Sequence, residues 1–185
     1  MMTPTEILKH EHKVILLVLG AAEKAVDAMQ TTGEVNVSEI ESVLDFFRNF
    51  ADRCHHAKEE NLLFVKMQEK GMSKDSGPIA VMLKEHEYGR NKLRAVAEAL
   101  PQAGKDDLSA KATIMENLSE YTKMLRAHIA KEDNVLYPMG DKIFTEEDQK
   151  SLNEAFDKVE KEEMGEGVHE KYHKLAHDLS EYRSD

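Results

Sequence analysis

The feature that most constrains this chain is a repeat. The segment His55-His56-Ala57-Lys58-Glu59-Glu60-Asn61-Leu62-Leu63-Phe64 is matched, in order, by His128-Ile129-Ala130-Lys131-Glu132-Asp133-Asn134-Val135-Leu136-Tyr137. Each copy is preceded, at a nearly equal separation, by a Glu-His pair: Glu11-His12 and Glu85-His86. A chain that carries a lone His and then His-x-x-x-Glu twice, among strong helix formers, is expected to fold as two similar helix hairpins.

The surrounding residues support helices throughout. Gly and Pro are scarce, at 9 and 4 of 185 residues, so breakers fall only where helices are to end. Thr3, Pro4 and Glu6 supply an N-cap, a first-turn proline and a capping-box acid for a first helix that fades near Gly33. Its apolar residues Leu8, Ile15, Leu16, Leu19 and Val26 recur at helical spacing. Ser38 and Glu41 open a second helix by the same logic, running to about Lys70. Residues 71–77 read as a loop. Pro78 opens a third helix that ends near Leu100, where residues 101–105 break it. A fourth runs from about Leu108 and stops at Pro138. Thr145 and Asp148 begin a shorter helix, and residues 168–182 form the last. The expected fold is all-α: an antiparallel up-and-down four-helix bundle over residues 1–142, with a C-terminal helical extension, 143–185, packed on it.

Residues four apart share a helix face, so His55 with Glu59, and His128 with Glu132, aim at one point. His12 and His86 lie on the apolar stripes of the first and third helices. Six polar groups then face the interior: His12, His55, Glu59, His86, His128 and Glu132. Their burial is costly unless cations compensate. Four imidazoles and two carboxylates suit two divalent ions, with each Glu able to bridge. Mixed nitrogen and oxygen donors favour iron, manganese or zinc over calcium or magnesium, and a histidine-rich site inside a helical bundle favours iron. His55 is chosen over His56, and Glu59 over Glu60. The repeat aligns His55 with His128, Asp52 and Arg53 read as a solvent face, and residues one apart on an α-helix point about 100° apart.

The order His, His-x-x-x-Glu, His, His-x-x-x-Glu resembles the HHE branch of the haemerythrin-like proteins over residues 5–140. The resemblance implies a non-haem, oxo- or hydroxo-bridged pair of iron ions, with His12, His55, Glu59, His86, His128 and Glu132 as ligands. Oxygen-carrying haemerythrins have a further His where this chain has Arg90, and end on His-x-x-x-x-Asp where it has His128-x-x-x-Glu132. The metal domain of iron-sulfur-cluster repair proteins is also similar, but carries a further His where this chain has Gly33. His169 is a candidate for the missing fifth imidazole, and Glu23 a weaker one.

Other residues have plainer expected roles. His10 is a surface residue near the helix start. The stripe of His169, His173 and His177 reads first as a solvated flank, with the fifth-imidazole role of His169 as the alternative, and the run from Glu160 to Glu163 reads as a solvated face. Cys54 fills core, and as the single cysteine it forms no internal disulfide. Tyr121 is either a hydrogen-bond donor to the metal layer or, equally, an ordinary core tyrosine. The net charge of −11 disfavours nucleic acid and anionic lipid as partners. With no apolar run of membrane-spanning length and no signal-peptide pattern, a cytoplasmic location without membrane contact is expected. The expected function is binding of a diatomic, O2 or NO, for storage, scavenging or sensing. Alternatives are an enzyme that turns over peroxide or reduces NO, and an iron-handling or iron-sulfur-cluster repair protein.

Overall fold

The computed structural model describes residues 2–165 and 167–181, without the side chains of 162–164. The described residues are all-α. The rods are α1 (Pro4–Thr32), α2 (residues 37–69), α3 (Gly77–Ala103), α4 (residues 108–143), α5 (residues 146–164) and α6 (Val168–Glu181). The expected helix end at Tyr182 lies outside the described residues, as do the side chains of Glu162 and Glu163 of the acidic run.

Local chemistry explains most boundaries. Thr3 accepts from the Glu6 amide while Glu6 reaches back to the Thr3 amide, and Thr145 and Asp148 form the same box for α5. Gly33 ends α1 in the left-handed conformation, φ 73°, a region open to glycine at little cost. α2 starts earlier than expected. Its cap is Asn36, which accepts from the Glu39 amide, and Ser38 instead donates to Asn36. Two prolines fail to stop their helices. Pro101 sits in the last turn of α3, held by buried Leu100 and Ala103, and removes only one hydrogen bond. Pro138 follows a π-helical turn, Glu132–Leu136, where the hydrogen-bond register already shifts, so α4 runs on to Ile143.

π-helical turns also occupy Phe47–His56 and Glu59–Leu63 of α2. Each hydrogen bond there spans five residues instead of four, so successive side chains are turned through a smaller angle than on an α-helix. Both motif segments fall on such turns.

α1 packs on α2 and α4, and α3 packs on α2 and α4. Two apolar clusters fill this ring. One holds Val18, Phe46, Phe47, Val96, Leu118 and Leu125, and the other Leu8, Phe64, Met67, Ile79, Leu136 and Tyr137. α5 adds Leu152 and Phe156 to the second, while α6 adds Tyr172, Ala176 and Leu179 to the first. The polar residues of the repeat form the layer between the clusters. Among the described residues no helix is long and apolar enough to cross a membrane.

Candidate metal centre

The six sequence-derived residues meet in that layer, each no more than 2% exposed. One group of converging donor atoms comes from His12, His55, Glu59 and Glu132; another comes from His56, Glu59, His86 and His128. Within each group the donor atoms lie within 4.8 Å of one another, and Glu59 belongs to both. Glu132 also spans the layer. Its Oε2 is 3.3 Å from His12 Nε2, and its Oε1 is 3.2 Å from His128 Nε2 and 4.0 Å from His86 Nε2. Glu59 Oε2 is 3.7 Å from His55 Nε2 and 3.4 Å from His86 Nε2.

His56 corrects the one-of-two argument. It is only 6% exposed, its ring stacks on His86 with centroids 3.9 Å apart, and it shares a donor group with His86 and His128. The 100° step that set His56 against His55 belongs to an α-helix, and both residues lie on a π-helical turn. Asp52, expected on a solvent face, is half-buried behind His56. Glu60 lies outside both donor groups and meets His86 Nδ1 from behind at 2.7 Å.

A shell of carboxylates fixes the tautomers. The Nδ1 atoms of His12, His55, His56, His86 and His128 meet Asp133 (2.8 Å), Glu11 (2.8 Å), Asp52 (3.4 Å), Glu60 (2.7 Å) and Glu85 (2.9 Å). An ionised carboxylate only accepts, so each Nδ1 donates and each Nε2 is left with a lone pair. Burial alone would raise Glu11, but hydrogen bonds from His169 and His55 and the charge of Lys58 hold it well below the usual range. Asp52 is held at about 2 against burial by His56 and Arg90, and Glu85 is lowered against burial by His128 and Lys131. This shell is itself repeated. Lys58 binds Glu11 just as Lys131 binds Glu85, and the residues after the two motif glutamates, Glu60 and Asp133, serve the lone histidines. The sequence displayed these pairs inside the repeat, and that was the available signal for them.

The layer fits cations better than any set of hydrogen bonds. Glu59 Oε2 and both oxygens of Glu132 are buried with no hydrogen-bond partner. His86 Nε2 and His128 Nε2 face each other at 3.0 Å, although their Nδ1 bonds make both of them acceptors. A cation held beside them would satisfy both lone pairs. Without a cation, protons must serve instead. Burial, and then Glu132, raise Glu59 well above the usual carboxylate range. His128 rises to about 9 because Glu132 and Glu85 outweigh its burial, whereas burial takes His55 down to about 4 and His86 well below its ordinary value.

Tyr137, which the sequence did not single out, reaches the layer, while Tyr121 is a core residue. Tyr137 is fully buried and donates to Glu59 Oε1 at 2.6 Å, with its hydroxyl 3.4 Å from His12 Nε2. Tyr121 packs edge-on against Phe47 and lines a cavity. That cavity, about 220 Å³, lies between α2, α3 and α4 and reaches His56, His86 and His128; Gly89 forms part of its wall. His12, His55 and Tyr137 are not among its lining residues.

The remaining candidates stand elsewhere. His169 lies behind Glu11, its Nε2 3.6 Å from Glu11 Oε1, in a group with Glu11 and Glu160 and outside both cage groups. His169 and His173 are half-buried against Phe50 instead of solvated, while His10 and His177 are exposed. Glu160 leaves the solvated face to bind Lys58. Glu23 pairs with Arg126 through both carboxylate oxygens, 2.7 Å each. Cys54 is fully buried, and burial pushes its thiol up to about 12.

The family described as hemerythrin HHE cation binding domain matches residues 3–140. Proteins described as uncharacterized, from Mycobacterium bovis and from two strains of Mycobacterium tuberculosis, are 24% identical over 164 residues, 89% of this chain. The chain spans 64% of the length of these curated relatives. No solved structure matches it significantly.

Proposed function

The chain belongs to the hemerythrin HHE cation binding domain family, and from that premise we propose that it is a non-haem di-iron protein that binds a diatomic ligand, O2 or NO, for storage, scavenging or sensing. His12, His55, Glu59, His86, His128 and Glu132 hold the metal, with both carboxylates placed to bridge. The proposal extends to the arrangement around them: an antiparallel up-and-down bundle over residues 1–142, with 143–185 as an extension packed on it. Cross-links between α1 and α4 run in opposite order, His12 to Asp133 and Glu23 to Arg126, which supports the antiparallel reading.

The observation that carries the functional reading is the cavity. Its volume of about 220 Å³ ends on His86 and His128 and is smaller than ordinary cofactor or substrate pockets. Iron held in the cage would supply open coordination positions for a small ligand. The chain's own residues govern what reaches it. Phe47, Leu93 and Leu125 present apolar walls beside the charged Arg48, Glu85 and Arg94, and Gly89 lines the passage without a side chain. A Cβ on Gly89 would stand 3.1 Å from both Met124 Cε and Tyr121 Cε2. Tyr137 and the five Nδ1 bonds hold the donors in place, so binding a ligand requires little rearrangement. Anaerobic reduction of iron-loaded protein, followed by titration with O2, NO and peroxide under visible absorption, tests the reading. Saturable, reversible spectral change with O2 or NO supports it. Rapid peroxide consumption without such a complex overturns it in favour of an enzyme.

A further inference from the structure

We infer that His56 is a fifth imidazole ligand of the centre, held by Asp52 and Arg90, and that the centre is therefore asymmetric; this rests on the metal reading above. The argument starts from the repeat. Aligned on their motifs, the two hairpins agree in kind at the six sequence-derived residues and the four carboxylates Glu11, Glu60, Glu85 and Asp133; they part at Tyr137, matched by Phe64, and at one polar cluster. His56 corresponds to Ile129 and Asp52 to Leu125, while Arg90, four residues after His86, corresponds to Leu16, four residues after His12. The second hairpin fills this place with apolar side chains, Ile129 and Leu125 being 4% and 2% exposed. Core packing there therefore needs no polar residue. An imidazole at His56, 6% exposed, has a desolvation cost that an aliphatic side chain avoids.

The cluster is also organised like its neighbours. Asp52 Oδ1 takes His56 Nδ1, as a carboxylate takes Nδ1 of each other cage histidine. Arg90 fixes that carboxylate, donating from Nε to Asp52 Oδ1 at 2.8 Å and from an Nη to Glu60 Oε1 at 2.7 Å. One guanidinium thus ties together the two carboxylates behind His56 and His86. With Nδ1 occupied, His56 offers Nε2 alone, and it joins His86, His128 and Glu59 in one donor group. The consequence is a three-imidazole end that faces the cavity between α2, α3 and α4, and a two-imidazole end, His12 and His55, beside Tyr137. Asp52 and Arg90 are positioning residues.

The test uses full-length protein labelled with 15N-histidine and loaded anaerobically with iron(II). Nine histidines are present, and a ligand nitrogen bonded to a paramagnetic ion is shifted far outside the ordinary imidazole range. Five strongly shifted imidazoles in the unmutated protein support the proposal. Four, with two irons bound, overturn it and leave the di-iron reading intact; no iron bound overturns both. His56→Gln is expected to remove one shifted imidazole and weaken one iron by at least about 10-fold, while His169→Gln changes neither. Asp52→Asn should keep five shifted imidazoles, with a changed shift for one of them. If His56→Gln does not fold, the count in the unmutated protein still decides.

Discussion

Replacing Glu59 with Gln separates a metal ligand from a merely structural acid. Glu59 is fully buried and its carboxyl is pushed well above the usual range by burial and by Glu132, so without a cation its neutral form is favoured. Glutamine has nearly the same shape, is neutral, and still accepts from the Tyr137 hydroxyl. The metal-free protein should therefore change by no more than about 1 kcal/mol. With iron at about 1,000 times its Kd, a bound ion stabilises the fold by about 4 kcal/mol, and a 100-fold weaker ion leaves about 1.4 kcal/mol. A 100-fold loss is a conservative figure for a direct donor, since changing an outer partner alone costs about 10–100-fold. The difference, about 2.7 kcal/mol, lowers the melting temperature of the iron-loaded protein by about 5–11 °C for a chain of this size. Calorimetry of the loaded and metal-free forms measures both shifts. Equal shifts in the two forms would refute the reasoning, because a structural acid has no reason to act through the ion.

Other predictions follow from particular contacts. Tyr137→Phe removes a buried donor to Glu59 and should destabilise the metal-free protein by about 1–3 kcal/mol in denaturant titration; no change would mean that the 2.6 Å bond does not form in solution. Gly89→Ala should leave iron content intact and slow ligand entry, because its Cβ would stand 3.1 Å from Met124 and Tyr121; unchanged association rates would exclude the cavity as the route. pH should act oppositely on the fold and on the metal. His128, raised from 6.5 to about 9, contributes stability to the metal-free protein that is full below 6.5 and lost as pH rises through 9, while iron must displace that proton. The melting gap between loaded and metal-free protein should therefore widen from pH 6.5 to 9, and a constant gap would contradict this.

Much of the fold was legible because it rests on local chemistry. The capping boxes at Thr3 and Thr145 and the apolar stripe of α1 are patterns of nearby residues, and they place helices directly. Glu11, Glu60, Glu85 and Asp133 stood in plain view beside the motif residues, but only packing assigns each to an imidazole on another helix. What sequence could not supply was the helical register. An α-helical count turns His56 away from His55 and gives no reason to bring Tyr137, five residues after Glu132, to the metal layer. The π-helical turns at Phe47–His56 and Glu132–Leu136 alter that count, and no side-chain pattern announced them. Pro138 misled for the same reason, since its missing amide proton falls where the ladder is already displaced. For His169 the helical stripe was visible, but its place behind Glu11 depends on how α6 packs on α1.

The most direct test of the central claim is metal analysis of protein expressed in iron-replete medium, combined with its visible spectrum in oxidised and reduced states. The account predicts about two irons per chain and a spectrum that changes with redox state, both lost in Glu132→Ala together with melting temperature. One zinc per chain with no chromophore in either state, or a Glu132→Ala protein that keeps its iron and its melting temperature, would contradict it.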